Sequence, residues 1–368
     1  MPPEKTVDRL MRVLSGGLHF GMAPKQGDSA DEARMRLALE EARKGLGKTS
    51  PNPPVGAVLV RDGNVLGRGH HEIAGGPHAE VQALRDAMSA GMNPAGATMY
   101  VTLEPCSTTG RTPPCVDALI GAGLSRIVVG STDPNPRHAG GGLEVLRRAG
   151  LVVEAGVLEE PCDALIRYFR KHILTGNPFV VAKSGMTLDG RITPLPGQPP
   201  WITGEEARED VQRLRGEMDA ILVGGETVRK DNPRLTLRGS HALGRSQPLR
   251  VIVTRSGDLP GDALLFTDDH KERTRVFHVE HLEPVFAALG KEGVCSVLLE
   301  CGGRLLGEAF SRRLVDEVVM YLAPVIGGGP RRAVEGDGFR AQLISPEIAW
   351  FGSDIRYRAA VRYHEDET

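Results

Sequence analysis

The sequence predicts two consecutive α/β domains, and three observations lead there. Apolar, β-branched runs of strand length alternate with stretches of helical spacing from Ser29 onward. The alternation is broken at Thr175-Gly176-Asn177-Pro178 and then restarts. A length of 368 residues favours two cores over one. The expected layout is an extension at 1–28, expected to be poorly ordered, a first domain at 29–175 and a second at 176–368.

In the first domain a helix follows Ser29, and Val55–Val60 and Val65–Gly69 make a hairpin over Asp62-Gly63. Gly75-Gly76-Pro77 breaks the chain, which puts His78 in the first turn of a helix running to about Met88. Residues 99–103 read as a buried strand. Pro113-Pro114 opens another helix with Cys115 in its first turn, and Arg126–Gly130 is the next strand. A Pro/Gly-rich loop from Asp133 to Gly142, a helix, a strand at Leu151–Glu154 and a helix ending near Ile173 complete the domain.

In the second domain strands are expected at Phe179–Lys183, Ala220–Val223, Leu249–Val253, Arg275–Val279 and Ser296–Leu299, with closing strands at Glu317–Leu322 and Ile355–Tyr363. Helical spacing covers Glu205–Met218 and His281–Leu289. No G-x-G-x-x-G follows the first strand, so a standard Rossmann reading fails. Gly302-Gly303 instead follows the 296–300 strand and opens a helix. Bare amides there suit a dinucleotide pyrophosphate, although a tight turn would have the same sequence.

With 40% hydrophobic and 25% charged residues the composition is that of a soluble protein. A formal charge of −2 argues against a broad nucleic-acid or membrane surface. No apolar run has the length of a membrane span, and residues 1–28 lack the apolar region and cleavage site of a signal peptide. Five cysteines in no disulfide-like pattern suit a reducing compartment, so a cytoplasmic location is expected.

The chemistry concentrates between His78 and Cys115. One imidazole and two thiols, from His78, Cys106 and Cys115, can fill three corners of a Zn²⁺ tetrahedron and leave the fourth open. Glu80, two residues after the histidine, is placed to move protons rather than to bind metal. H-x-E followed by Pro-Cys and a second cysteine is the zinc-deaminase signature, here with eight residues between the cysteines. The competing readings are a structural zinc and plain core cysteines. A structural site would usually offer a fourth protein ligand, and no further C-x-x-C or H-x-x-x-H exists.

Longer stretches carry a resemblance. Pro51-Asn52-Pro53, Pro77-His78-Ala79-Glu80-Val81, Thr102-Leu103-Glu104-Pro105-Cys106-Ser107, Gly110-Arg111-Thr112-Pro113-Pro114-Cys115 and Asp133-Pro134-Asn135-Pro136 lie in the first half. Leu188-Asp189-Gly190-Arg191, Trp201-Ile202-Thr203 and Asp231-Asn232-Pro233 lie in the second. Together they resemble the bifunctional riboflavin-biosynthesis deaminase–reductases from about Ser29 to the C-terminus.

The resemblance implies a cytidine-deaminase-like α/β/α domain followed by a dihydrofolate-reductase-like α/β domain. It implies one zinc per chain on His78, Cys106 and Cys115, with Glu80 as the proton shuttle. Asn52, His71 and Arg111 match substrate positions of the deaminase. Gly185, Trp201, Thr227, Asp231 and the turn Gly302, Gly303, Arg304, Leu305, Leu306, Gly307, Glu308 match positions for NADPH. Lys183, Arg215, Leu235, Arg238 and Glu300 match substrate positions of the reductase.

The implied partners are small pyrimidine ribosyl phosphates and, through the reductase domain, further copies of the same chain. The implied reactions are deamination of 2,5-diamino-6-ribosylamino-4(3H)-pyrimidinone 5′-phosphate and reduction of the product's ribosyl group. Thr108-Thr109, Pro199 and Pro54 depart from the family pattern and bear on substrate affinity. The rival readings are a deaminase of another nucleobase or nucleoside, and a catalytically impaired relative acting as a binding partner.

Overall fold

The computed structural model describes residues 29–108 and 113–363. Within them the chain forms two compact units that meet in sequence at Thr175/Gly176. The extension at 1–28 and the position of Arg111 lie outside the described residues.

The first unit is a three-layer sandwich. Helix α1 (Ala30–Arg43) starts in a capping box, in which Ser29 Oγ accepts the Glu32 amide and the Glu32 carboxylate accepts the Ser29 amide. Strands β1 (Gly56–Arg61) and β2 (Asn64–His70) form the expected hairpin, with positive φ at both Asp62 and Gly63. Then follow α2 (Ala79–Ser89), β3 (Thr98–Leu103), α3 (Cys115–Gly121), β4 (Arg126–Ser131), α4 (Gly141–Arg148) and β5 (Val152–Ala155). The helix expected to end near Ile173 is two helices, α5 (Glu159–Leu165) and α6 (Arg167–Thr175), divided at Ile166.

The sheet order is β2-β1-β3-β4-β5, antiparallel across β2-β1-β3 and parallel across β3-β4-β5. Alternation along the strands divides the core. Ala57, Leu59, Met99, Val101, Ile127 and Val129 meet α2, α3 and α4. Val58, Val60, Tyr100 and Val128 meet α1 and α5. Helix α2 lies almost directly on β2. A Cβ on Gly69 would overlap the Ala79 carbonyl and the Ala83 amide, and one on Gly67 would overlap the next turn of the same helix.

The second unit carries an eight-stranded sheet. Its elements are β6 (Phe179–Thr187), α7 (Glu205–Gly216), β7 (Ala220–Gly224), α8 (Gly225–Asp231), β8 (Leu249–Thr254), β9 (Thr274–His278), α9 (Glu283–Lys291), β10 (Ser296–Leu299), α10 (Gly303–Ser311), β11 (Glu317–Ala323), β12 (Ala341–Phe351) and β13 (Asp354–Tyr363). The order is β12-β13-β11-β6-β10-β7-β8-β9, parallel from β11 to β9 and antiparallel across β12-β13-β11.

Strand β12 is absent from the sequence-based layout. Ser345 at positive φ and Pro346 interrupt its alternation, and the register shifts there against β13. An edge strand tolerates both, because its outer side needs no ladder donor.

Gly69→Val should destabilise the first unit by about 3 kcal/mol, since the added side chain must push helix α2 off the strand. Thermal unfolding of the full chain checks this, and an unchanged melting temperature would contradict the close packing.

Candidate active sites

The first site forms where α2, the end of β3 and the start of α3 converge. His78 flanks α2 as its N-cap rather than lying in its first turn, because its backbone is still extended (φ −75°, ψ 164°). Its carbonyl already accepts the Gln82 amide, so the ring is fixed to the helix start. Cys106 lies just past β3, and Cys115 is the first residue of α3.

The His78 Nδ1 is 3.1 Å from Cys115 Sγ and 3.6 Å from Cys106 Sγ, and all three donor atoms lie within 4.8 Å of one another. A tetrahedral zinc with bonds of about 2.3 Å to sulfur and 2.0 Å to nitrogen sets its N and S ligands roughly 3.6 Å apart. The donor set fits that ion in both chemistry and spacing. The Cys106 thiol is pulled down by hydrogen bonds from Cys115 and His78, so it is poised as a thiolate.

Glu80 belongs to the first turn of α2 and is 3% exposed. Burial pushes its carboxyl above the ordinary range, opposed by its own backbone amide and by the His78 charge. A buried carboxyl raised in this way is suited to exchanging protons with a group beside it.

His71 and Asn52 sit against the same cluster. The His71 ring packs edge-on against His78 with centroids 5.3 Å apart. Its Nδ1 lies 3.1 Å from the Pro77 carbonyl and its Nε2 3.1 Å from Asn52 Nδ2. A carbonyl can only accept, so Nδ1 carries the proton and Nε2 accepts from the Asn52 amide. Burial, foremost, lowers the His71 pKa and keeps this neutral tautomer.

Sequence reasoning gave no role to Glu104. Its buried carboxylate accepts the backbone amides of Asp133, Gly140, Gly142 and Leu143, at 2.9–3.4 Å. The loop 133–143 is thereby tied to the turn that carries Cys106. The signal was present, since an acidic residue wedged between a buried strand and Pro-Cys has little access to water.

The second site is a cavity of about 590 Å³ at the C-terminal ends of the parallel strands. This is where open α/β sheets bind ligands. Among the residues singled out from sequence, Lys183, Gly185, Thr227, Asp231, Glu300, Gly302, Gly303, Arg304, Leu305 and Glu308 line it. Arg215 does not line it, but its guanidinium grips Glu300 with two bonds of 2.6 and 2.9 Å, and Lys183 Nζ is 3.6 Å from the same carboxylate. Burial alone would raise the Glu300 pKa, yet the Arg215 and Lys183 charges pull it to about 2. Burial also lowers the Lys183 ammonium pKa, against the pull of Glu300.

The remaining positions lie elsewhere. Trp201 is 63% exposed with the Arg208 guanidinium over its ring, Leu235 is buried at φ 51°, and Arg238 is exposed. Leu306 faces the core. A Cβ on Gly303 would overlap the Arg332 carbonyl, and one on Gly307 the Glu335 carbonyl. Those two glycines seat α10 against the 332–335 segment, whereas Gly302 has nothing within 4 Å of where a Cβ would lie. Thr254, Arg255, Glu280 and His281 also line the cavity and were missed. The signal was their position immediately past expected parallel strands.

Two family models match the two halves of the chain. Residues 28–131 match the cytidine and deoxycytidylate deaminase zinc-binding region, and residues 178–357 match the RibD C-terminal domain. The RibD riboflavin biosynthesis protein of a Synechocystis species is 42% identical over 82% of this chain and 86% of its own length.

The chain belongs to the RibD family.

The Escherichia coli RibD is 40% identical over 83% of this chain and 90% of its own. Among solved structures, Acinetobacter baumannii RibD superposes with a TM-score of 0.81 at 37% identity, covering 90% of this chain and 99% of that one. The Thermotoga maritima diaminohydroxyphosphoribosylaminopyrimidine deaminase/5-amino-6-(5-phosphoribosylamino)uracil reductase also scores 0.81, at 34% identity over 91% and 99%. The protein is a bifunctional deaminase–reductase of riboflavin biosynthesis, with a cytidine-deaminase-like half and a RibD reductase half. The first half is a zinc-binding domain, and the second implies a nicotinamide cofactor.

Two outcomes are expected from these geometries. Serine at Cys106 or Cys115 should lower bound zinc well below one per chain by metal analysis, and full occupancy in both variants would remove this ligand set. Arg215→Met should destabilise the second unit by about 3–5 kcal/mol at neutral pH, because Glu300 is left buried and charged with only Lys183 nearby. The deficit should shrink on acidification in unfolding experiments. The lost guanidinium no longer holds the Glu300 pKa low, so the variant's carboxyl protonates at a pH where the wild type still has its ion pair.

Proposed function

We propose that the first half hydrolytically deaminates 2,5-diamino-6-ribosylamino-4(3H)-pyrimidinone 5′-phosphate. The second half then reduces 5-amino-6-(5-phosphoribosylamino)uracil to its ribityl form with NADPH. The observation that supports the first step most is Glu80, a carboxyl buried beside a three-donor metal set that needs no carboxylate for binding. Zinc, when bound, supplies Lewis-acid activation of water at the open corner.

The chain's own groups do the rest. Glu80 takes a proton from the attacking water and returns protons to the ring nitrogen and the departing ammonia. Asn52, oriented by His71, meets the pyrimidine and ribose. Arg111, outside the described residues, pairs with the substrate phosphate in this reading.

In the second half NADPH supplies the hydride, and the protein's task is positioning. Gly302, open toward the cavity at the start of α10, offers bare amides to the pyrophosphate. Lys183 and Glu300 face the cavity where the ribosyl group must lie, with Arg215 holding Glu300. A homo-oligomer through this half belongs to the same reading, supported by the sheet edge at β12, where Ile348 and Trp350 are exposed. Five cysteines without disulfides suit a cytoplasmic location. Among the described residues no helix is long and apolar enough to cross a membrane.

Ammonia release from the pyrimidine phosphate, followed by NADPH oxidation dependent on the deaminated product, tests both steps. Glu80→Gln should keep its zinc, lose on the order of 10²–10⁴-fold in deamination rate and leave reduction of supplied product intact. Near-normal ammonia release by that variant would sink the shuttle assignment. No release by the wild type would sink the substrate.

A further inference from the structure

The three donors of the first site are not equally supported by regular structure. His78 is the N-cap of α2, with its carbonyl already in the helix ladder, and Cys115 is the first residue of α3. Cys106 lies in irregular chain past the end of β3. Its carbonyl accepts the Val116 amide and its Sγ lies 3.3 Å from the Cys115 nitrogen, so both of these partners belong to the helix of another donor.

The turn from Glu104 to Thr108 is laid along the 133–143 loop. A Cβ on Gly142 would overlap the Pro105 carbonyl oxygen, and one on Gly141 would stand 3.2 Å from Ser107 Oγ. Thr108 Oγ1 is 3.4 Å from His138 Nδ1. Glu104 anchors the contact. Its Oε1 accepts the amides of Gly142 at 2.9 Å and Leu143 at 3.4 Å, and its Oε2 those of Asp133 at 3.1 Å and Gly140 at 2.9 Å.

Gly140, Gly142 and Leu143 belong to the start of α4, where the first amides have no acceptor within the helix. A side chain at the cap position would ordinarily take one of them, but that position is Gly140, which has none. Glu104 caps α4 from the end of a separate strand, and the same carboxylate joins the two ends of the loop.

We propose that Glu104 is a positioning residue for the metal centre: its carboxylate fixes α4 against the turn 104–108, and thereby fixes where Cys106 Sγ stands relative to His78 and Cys115. This rests on the assignment of those three residues as the zinc ligands. Groups that orient a ligand without touching the metal change its affinity by about 10–100-fold when lost. The requirement on Glu104 is exacting, because each of its oxygens accepts from two amides. Glutamine has the same shape, yet whichever way its amide is turned, the NH₂ faces two N–H donors.

The test is metal retention in the full-length protein. Glu104→Gln should bind zinc about 10–100-fold more weakly than the wild type in competition with a colorimetric chelator. After exchange of zinc for Co²⁺, its sulfur-to-cobalt charge-transfer absorption should lose intensity, since that band reports the placement of the thiolates. Gly142→Ala keeps the carboxylate but displaces the Pro105 carbonyl, and it should show the same two changes. Asp31→Asn is the control. Asp31 bonds Arg126 from α1, on the opposite face of the sheet, so its loss should lower the melting temperature and leave zinc affinity and the cobalt spectrum at wild-type values.

Wild-type zinc affinity and cobalt spectrum in Glu104→Gln would overturn the proposal, whatever its melting temperature. If that variant does not fold, wild-type zinc affinity in Gly142→Ala overturns it instead. An equal loss of zinc in Asp31→Asn would also overturn it, because metal retention would then follow overall stability. The ligand set fails separately. Zinc retained by Cys106→Ser would remove that assignment and this proposal together, whereas zinc lost from Cys106→Ser and kept by Glu104→Gln would remove the positioning role alone.

Discussion

Each half of the molecule depends on a carboxylate buried just past the C-terminal end of a central parallel strand. Burying such a charge is tolerated only when its lone pairs are met by donors, and the two halves meet them differently. Glu104, after β3, is satisfied by backbone amides of the 133–143 loop, so it organises chain. Glu300, after β10, is satisfied by the side chains of Arg215 and Lys183, so it organises charge. The first fixes the turn that presents Cys106. The second leaves a polarised surface at the cavity floor.

The layered architecture was legible because strands such as 99–103 and 126–130 are covered on both faces and so read as continuous apolar runs. The zinc donor set was legible for a different reason. Its three residues belong to short local signals, Pro-His-Ala-Glu, Glu-Pro-Cys and Pro-Pro-Cys, each placed at the start of a helix or the end of a strand. Spacing along the chain could not show that Nδ1 is the histidine nitrogen turned toward the thiols.

The cavity of the second half was only partly legible. Gly302, Gly303 and Gly307 look alike as letters, yet the fold gives them different tasks: the first borders open space, and the other two let a helix touch a neighbouring backbone. Arg255 and His281 are unremarkable in sequence and gain meaning only because parallel strands deliver them to one rim. Strand β12 was missed because Ser345-Pro346 disrupts the alternation that would announce it, a disruption an outermost strand can carry.

The arrangement of His71 has a consequence for recognition by polarity. One ring nitrogen is committed to donating to Pro77 and the other to accepting from Asn52. The Asn52 amide therefore cannot rotate by half a turn without setting its oxygen against a nitrogen lone pair. Its free end is an acceptor by construction. Any group meeting that oxygen must bring its own hydrogen, as a hydroxyl or an amine does and a carbonyl does not. A proton on the His71 ring thus sets the polarity that Asn52 presents.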